Sequence, residues 1–378
     1  ELLSQEGKSL NDYRRVYRSH HHRPKLHPLL IDSGIGLLRV VQKDGLMIYS
    51  ETGKTIKHAC ITIDASHNIV FRNLHFAELW EWDEIDSGAY KTNDWDYFTI
   101  EKSSGIWFDH LSFDQAYDGI IDLKEGCSNL TLSFSRLDFV PNSFIQNQID
   151  YLEAHQEDNP YYKSFREKGL SVDEIVKWAS YQKKGFNLGN TTDGEGYEAI
   201  TFTFHHLQIN NLQDRLPRIR KGDAHLYQII LDNTDIDELS KILNAHQLNI
   251  VNQGIVTTEG GAVLMENSIF RNVAVPLKSH QESNPDERYT GKYQIINSEL
   301  IRNNQSHFGS SGDGRSLWYP SNQHPSLPFA FRNCESLPYT YELLDVYYLP
   351  TFFEKNPTGA GIYSGVNWLE INPQNKGE

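Results

Sequence analysis

With 378 residues, 38% of them hydrophobic and 22% charged, the chain can bury a large core as one long domain or two, and its composition is that of a soluble globular protein. No apolar run approaches the ~20 residues that a membrane helix requires. A formal net charge of -15 argues against a nucleic-acid backbone as partner, because like charges repel at long range, while leaving local basic patches open.

The chain begins at Glu1 with neither an initiating Met nor a charged-then-apolar leader, as expected of a mature or trimmed product. Ser19-His20-His21-His22-Arg23-Pro24 is too local, and too close to Pro24, for a metal site and is expected to be solvated surface. Cys60, Cys127 and Cys334 form an odd set without pair spacing. Buried structural thiols are expected there, not a disulfide framework.

The segment from Asp94 to Asp122 concentrates acids among strand-like residues: Asp94-Trp95-Asp96-Tyr97-Phe98-Thr99-Ile100, then Tyr117-Asp118-Gly119-Ile120-Ile121-Asp122. Alternation places Asp94 and Asp96 on one strand face and lets Asp118 and Asp122 share another. Carboxylates without Cys or paired His nearby suit a hard cation, calcium or magnesium, better than zinc. Taken singly, an Asp beside Gly119 could equally shape a turn.

Short β-rich pieces recur with a shared ending: Asn73-Leu74-His75-Phe76, Leu111-Ser112-Phe113, Leu137-Asp138-Phe139, His206-Leu207-Gln208-Ile209, Asn267-Ser268-Ile269-Phe270 and Asn297-Ser298-Glu299-Leu300. The steps from Leu111 to Leu137 and from Ser268 to Ser298 fall inside the ~20–50-residue range of solenoid coils. Flanking Asn, Asp, Ser and Gly fit a chain that turns a corner every few residues. These features predict an all-β parallel β-helix. A β-sandwich would call for more hairpin signals of the Asn-Gly or Asp-Gly type.

One stretch interrupts the pattern. Ile145, Ile149 and Leu152 lie at helical spacing, and Ser171 with Glu174 forms a capping-box signature ahead of Ile175, Trp178 and Tyr181, so a helical insertion is predicted over about 143–181. Such an excursion from a rigid stack commonly builds a binding cleft. Positive charge then gathers in Gln182-Lys183-Lys184-Gly185 and Asp214-Arg215-Leu216-Pro217-Arg218-Ile219-Arg220-Lys221-Gly222. Arg218 and Arg220 should share a strand face, and Arg215 precedes a Pro that favours extended geometry. Arginine forks could grip an anionic substrate bridged to the acids through a cation. Beyond Pro320 the tail carries Tyr339, Tyr341, Tyr347, Tyr348, Phe352 and Phe353, and is expected to wrap the stack as irregular structure. The expectation is one domain over 1–378, with a C-terminal extension over about 320–378.

Together, Ser66-His67-Asn68-Ile69-Val70-Phe71-Arg72-Asn73-Leu74, Trp107-Phe108-Asp109-His110, Asp118-Gly119-Ile120-Ile121-Asp122, Lys184-Gly185-Phe186-Asn187-Leu188-Gly189, His205-His206 and Arg215-Leu216-Pro217-Arg218-Ile219-Arg220 resemble the pectate lyases of polysaccharide lyase family 1. The likeness runs in order from about residue 61 to 275. It implies a right-handed parallel β-helix, secreted, that cleaves polygalacturonate by calcium-assisted β-elimination. Position by position it makes Asp96, Asp118 and Asp122 calcium ligands, with Asp94 a weaker fourth. It makes Lys184 the partner of a substrate carboxylate, Arg215 the base and Arg220 a second substrate-binding arginine; Arg218, on the same face as Arg220, joins the substrate-binding set. Asp118 stands where many members have Glu, and Phe108 is a mild variation of the Trp-Ile-Asp-His motif. Asp109-His110 and His205-His206 are assigned to the stacked core.

β-Elimination needs the C5 proton removed beside a carboxylate and the C4 oxygen expelled, so positive charge near that carboxylate stabilises the enolate-like charge as it develops. Guanidinium holds its proton tightly, so an arginine base is expected to favour alkaline conditions. Three rivals remain at this level. A pectin lyase would act on methyl-esterified chains without calcium, a glycoside hydrolase would need a carboxylate pair at the glycosidic oxygen, and a non-catalytic β-helix would only bind polysaccharide. A monomer is expected, because one chain closes a solenoid of this size.

Overall fold

The computed structural model describes residues 15–17, 27–30, 34–82, 95–280, 287–309, 315–318, 327–356 and 358–365. Asp94 and the His20–His22 run lie outside the described residues. Two long sheets run the length of the molecule, one of nine strands and one of twelve. Pairing between successive coils is parallel throughout the stack, and antiparallel pairs occur only at its two ends among the described strands. The expected parallel β-helix is therefore the fold.

Register explains why the recurring sequence endings look alike. Phe76 pairs with Phe113, Phe113 with Leu137, Leu137 with Ile209, Ile209 with Leu231, Leu231 with Phe270 and Phe270 with Leu300, a single inward ladder on the twelve-stranded sheet. Ile63, Ile100, Leu123, Leu188 and Ile219 form the matching inward ladder of the nine-stranded sheet. All of these side chains are buried. Each contributes on the order of 1.5–3 kcal/mol by leaving water. With a period of two, the residues between them must face outward.

Within each coil the twelve-stranded sheet bends at one left-handed residue: Asn73, His110, Phe134, His206, Gln228, Asn267 and Asn297 all have φ between 41° and 56°. Asn visits this region readily, whereas Phe134 is disfavoured there by ~1–2 kcal/mol. Its ring is held between His110 at 5.1 Å and His206 at 4.4 Å.

The aromatic-rich tail follows this corner back toward the first coils, as expected, but it is not irregular throughout, since Leu349–Lys355 forms a short helix. Asn267 donates to the Leu344 carbonyl, the Thr358 carbonyl meets the His110 ring, Gly361 N–H donates to the Phe134 carbonyl, and Tyr363 exchanges two hydrogen bonds with Asn73. The Asp-His and His-His pairs need a correction. Asp109 and His205 follow the inward Phe108 and Phe204, so they sit on the outer face of the sheet in a polar network under the tail, not in the apolar interior. Asp109 accepts from Arg72 and Ser133, and burial pushes the His206 imidazole down to about 3, so it stays neutral.

The helical insertion is present as α1 (Ser143–Ala154), α2 (Pro160–Glu167) and α3 (Val172–Ser180), with the Ser171–Glu174 capping box formed. These helices share a second apolar cluster with α4 (Thr234–Ala245), a helix absent from the sequence expectation. No disulfide joins the three cysteines. Cys127 is buried as expected, but Cys60 and Cys334 are only half-buried.

Candidate active site

The acids and bases meet along the outer face of the nine-stranded sheet and the loops that lead into its strands. Four consecutive coils are tied there by main-chain hydrogen bonds: Asp118 N–H to the Trp95 carbonyl at 3.2 Å, Ile120 N–H to Gly185 at 2.8 Å, Gly185 N–H to Asp214 at 2.9 Å and Phe186 N–H to Arg215 at 2.8 Å. Asp96, Asp118, Lys184 and Arg215 are thereby brought to neighbouring heights, although 119 positions separate the first from the last in sequence. One outward ladder of the sheet lies alongside, running Thr99, Asp122, Asn187, Arg218, Val256 and Lys278. Arg220, two residues beyond Arg218, shares its face as predicted. Acids thus occupy one end and bases the other, over roughly 14 Å for three coil steps of ~4.8 Å.

Two glycines permit the close approach. A Cβ on Gly119 would lie 2.5 Å from Asp96 Oδ1, and one on Gly185 would lie 2.6 Å from the Arg215 carbonyl. Gly119 N–H instead donates to Asp96 Oδ1 at 2.7 Å. Asp96 and Asp118 do not occupy strands as alternation suggested: the strands begin at Phe98 and Ile121, so both acids lie on the loops leading into them, and only Asp122 points outward from a strand. Strand periodicity does not govern a residue placed before the ladder starts. Arg215 likewise departs from the extended geometry expected of it, because proline restrains only the residue directly before it, here Leu216. The φ of Arg215 is +70°, and the Leu216–Pro217 peptide bond is cis.

Each acid is engaged by a neighbour. Asp118 forms an ion pair with Lys184, and Asp122 accepts from Asn187 Nδ2 at 2.9 Å. As these side chains lie, no group of three or more His, Cys, Asp or Glu residues stands ready to hold a metal among the described residues. The donor chemistry nevertheless fits a hard cation: three carboxylates on two adjacent coils, with no thiol or imidazole among them.

The basic end is partly buried. Arg220 is 5% exposed, its Nη1 donates to Asn187 Oδ1 at 3.3 Å and to the Gly189 carbonyl, and its Nε lies 3.4 Å from Glu259 Oε1. Burial, helped by the like charge of Arg218, pulls its guanidinium down to about 10, against the opposing pull of Glu259. Burial also raises the carboxyls of Glu259 and of Asp214, the latter 3.9 Å from Arg215 Nε and held down in part by that guanidinium. Asn187, Glu259 and Asp214 were not foreseen as supports. Asn187 was legible, because it sits between the inward Phe186 and Leu188 and must face out.

A family model for pectate lyases matches residues 39–160. Pectate lyase B of Paenibacillus amylolyticus is 39% identical over 284 residues, covering 71% of this chain and 72% of that protein. The chain belongs to the pectate lyase family. A solved pectate lyase from Paenibacillus sp. 0602 superposes with a TM-score of 0.85 at 36% identity, covering 91% of this chain and 80% of the other. Pectate lyase II of Xanthomonas campestris, at 17% identity and a TM-score of 0.53 over 84% of this chain and 77% of its own, shares the fold. The enzyme is a polysaccharide lyase, which sets aside the hydrolase and pure-binding readings.

Proposed function

We propose that the enzyme cleaves polygalacturonate by β-elimination with calcium as cofactor, releasing 4,5-unsaturated oligogalacturonates. The observation that supports this most directly is the Asp118–Lys184 pair, set between two further acids and three arginines on adjacent coils. Asp96, Asp118 and Asp122 would hold the cation, with Asp94 as an additional ligand. Bound there, calcium supplies positive charge that neutralises the substrate carboxylate next to the reacting carbon.

The remaining steps fall to the chain's own side chains. Lys184 turns from Asp118 to the substrate carboxylate, a point charge on a flexible stem suited to that exchange. Arg218 and Arg220 grip neighbouring carboxylates, Arg220 being held rigidly by Asn187 and Gly189. Arg215, at the loop end of the same row, in its neutral form takes the C5 proton. The C5–H electron pair becomes the C4=C5 double bond, the C4–O4 bond breaks, and the departing oxygen takes a proton from water. In this reading the whole chain acts as a single β-helix domain, a monomer, and it works outside the cell, where a polymer too large to be imported is met.

The deciding assay follows unsaturated product spectroscopically on polygalacturonate and on highly methylated pectin. Unsaturated product is expected chiefly from the unesterified chain; preference for the methylated one would make the enzyme a pectin lyase. In the same assay, Lys184→Ala is expected to lose about tenfold or more in kcat/KM on polygalacturonate, one charge-assisted contact being worth ~1.5–3 kcal/mol, and much less on methylated pectin. Equal losses on both would make Lys184 structural.

The pH profile should be bounded on the alkaline side. Removal of the C5 proton is favoured as pH rises, giving an optimum above roughly pH 8. Arg220 keeps its charge below about 10 and loses it above, so substrate affinity is expected to fall there, with KM climbing. A flat KM from pH 9 to 11 would remove Arg220 from substrate binding.

A further inference from the structure

Gln182 stands where the helical insertion rejoins the stack, two residues after α3 ends, and it is 2% exposed. Its carboxamide makes three hydrogen bonds, one buried and two partly buried. Oε1 accepts from Ala116 N–H at 2.8 Å, while Nε2 donates to the Asp118 carbonyl at 2.6 Å and to the Lys184 carbonyl at 3.0 Å. The orientation of the amide is dictated by these partners, because a flipped group would set N–H against N–H and oxygen against two carbonyls. Its main chain is pinned as well, donating to Asn211 and accepting from Gln213, while Gln213 Nε2 donates to the Tyr181 carbonyl at 2.8 Å.

The two carbonyls that share Nε2 belong to the two residues whose side chains form the acid–base pair of the site. Regular strand pairing between these coils begins only at Ile121 with Phe186. Ahead of that point the coils are joined by the Ile120 N–H to Gly185 carbonyl bond and by this side chain.

We propose that Gln182 is a positioning residue of the lyase site, fixing the placement of Asp118 and Lys184 through their main-chain carbonyls. It acts on a cation ligand and on a substrate-binding cation at once, so it couples the two halves of the site without touching either ligand. The inference rests on the roles proposed above for Asp118 and Lys184.

Two substitutions test it. Gln182→Met keeps length and loses all three hydrogen bonds. Gln182→Glu keeps the acceptor for Ala116 and turns a carboxylate oxygen toward the two carbonyls. Both are expected to lower kcat/KM on polygalacturonate at least tenfold and to weaken calcium binding at least threefold by titration calorimetry, a readout independent of turnover. The total loss of the Gln182→Met, Lys184→Ala double variant should be smaller than the product of the two single losses, because both act through one element.

Calcium affinity and kcat/KM within twofold of the parent, whatever the melting temperature, would overturn the proposal, as would fully multiplicative losses. Failure of both variants to fold would make Gln182 a folding residue and overturn it too. If the unsubstituted enzyme bound no calcium or released no unsaturated product, the underlying reading would fail and carry this proposal with it.

Discussion

Replacing Arg215 with lysine is expected to lower kcat by about 10²–10⁴-fold, the usual worth of a positioned general base, while KM for polygalacturonate stays within about threefold. The asymmetry comes from how the residue is held. Its carbonyl accepts from Phe186 N–H, its φ is +70°, and Gly185 has no Cβ to push that carbonyl away. Lysine tolerates the same backbone and keeps the charge, so the loop and its attraction for a polyanion survive. It cannot reproduce the planar fork of guanidinium or the place of the atom that takes the proton. Steady-state kinetics on polygalacturonate separates the two effects. A variant with parental kcat and altered KM would mean that Arg215 grips substrate and that another group removes the proton.

The parts of this molecule that the sequence discloses are those with a period. Stacked endings such as Leu111-Ser112-Phe113 and Leu137-Asp138-Phe139 repeat because their residues share one inward ladder, and the capping box at Ser171 and Glu174 forms as written. Helix α4 was just as legible in principle: Ile236, Leu239 and Leu243 are buried at helical spacing, with Asp235 and Asp237 in the first turn. It was obscured by lying within a span read as coils. What has no period escaped. Asp96 and Asp118 lie ahead of their strands, so alternation assigned them faces they do not have. The left-handed turn at Arg215 depends on contacts from a coil about 30 residues earlier in the chain. Gln182, in turn, carries no chemistry of its own that would single it out before its three main-chain partners are known.

Chelation is expected to abolish cleavage and restored calcium to recover it, with Asp118→Asn the most damaging of the ligand substitutions. Two charges ~4 Å apart repel by about 1 kcal/mol in water and about 4 at an effective dielectric of 20. Acids gathered at one end of a groove therefore need a counter-charge, which Lys184 supplies to Asp118. Once Lys184 turns to the substrate, that need passes to the bound cation. Asp118→Asn removes a ligand charge and also leaves Lys184 without its resting partner, so half-saturating calcium should rise at least tenfold and KM with it. Asp122→Asn removes a ligand charge alone, on a strand whose inward neighbours Ile121 and Leu123 are unchanged, so it should raise the calcium requirement with little effect on melting temperature. Calcium titrations of activity, paired with melting curves with and without the metal, measure both. Full activity in chelator would exclude calcium from the reaction, and an unaltered titration for Asp122→Asn would remove that residue from the ligand set. If Asp118→Asn raised KM while leaving the calcium requirement untouched, Asp118 would be a partner of Lys184 alone and the cation would rest on the remaining acids.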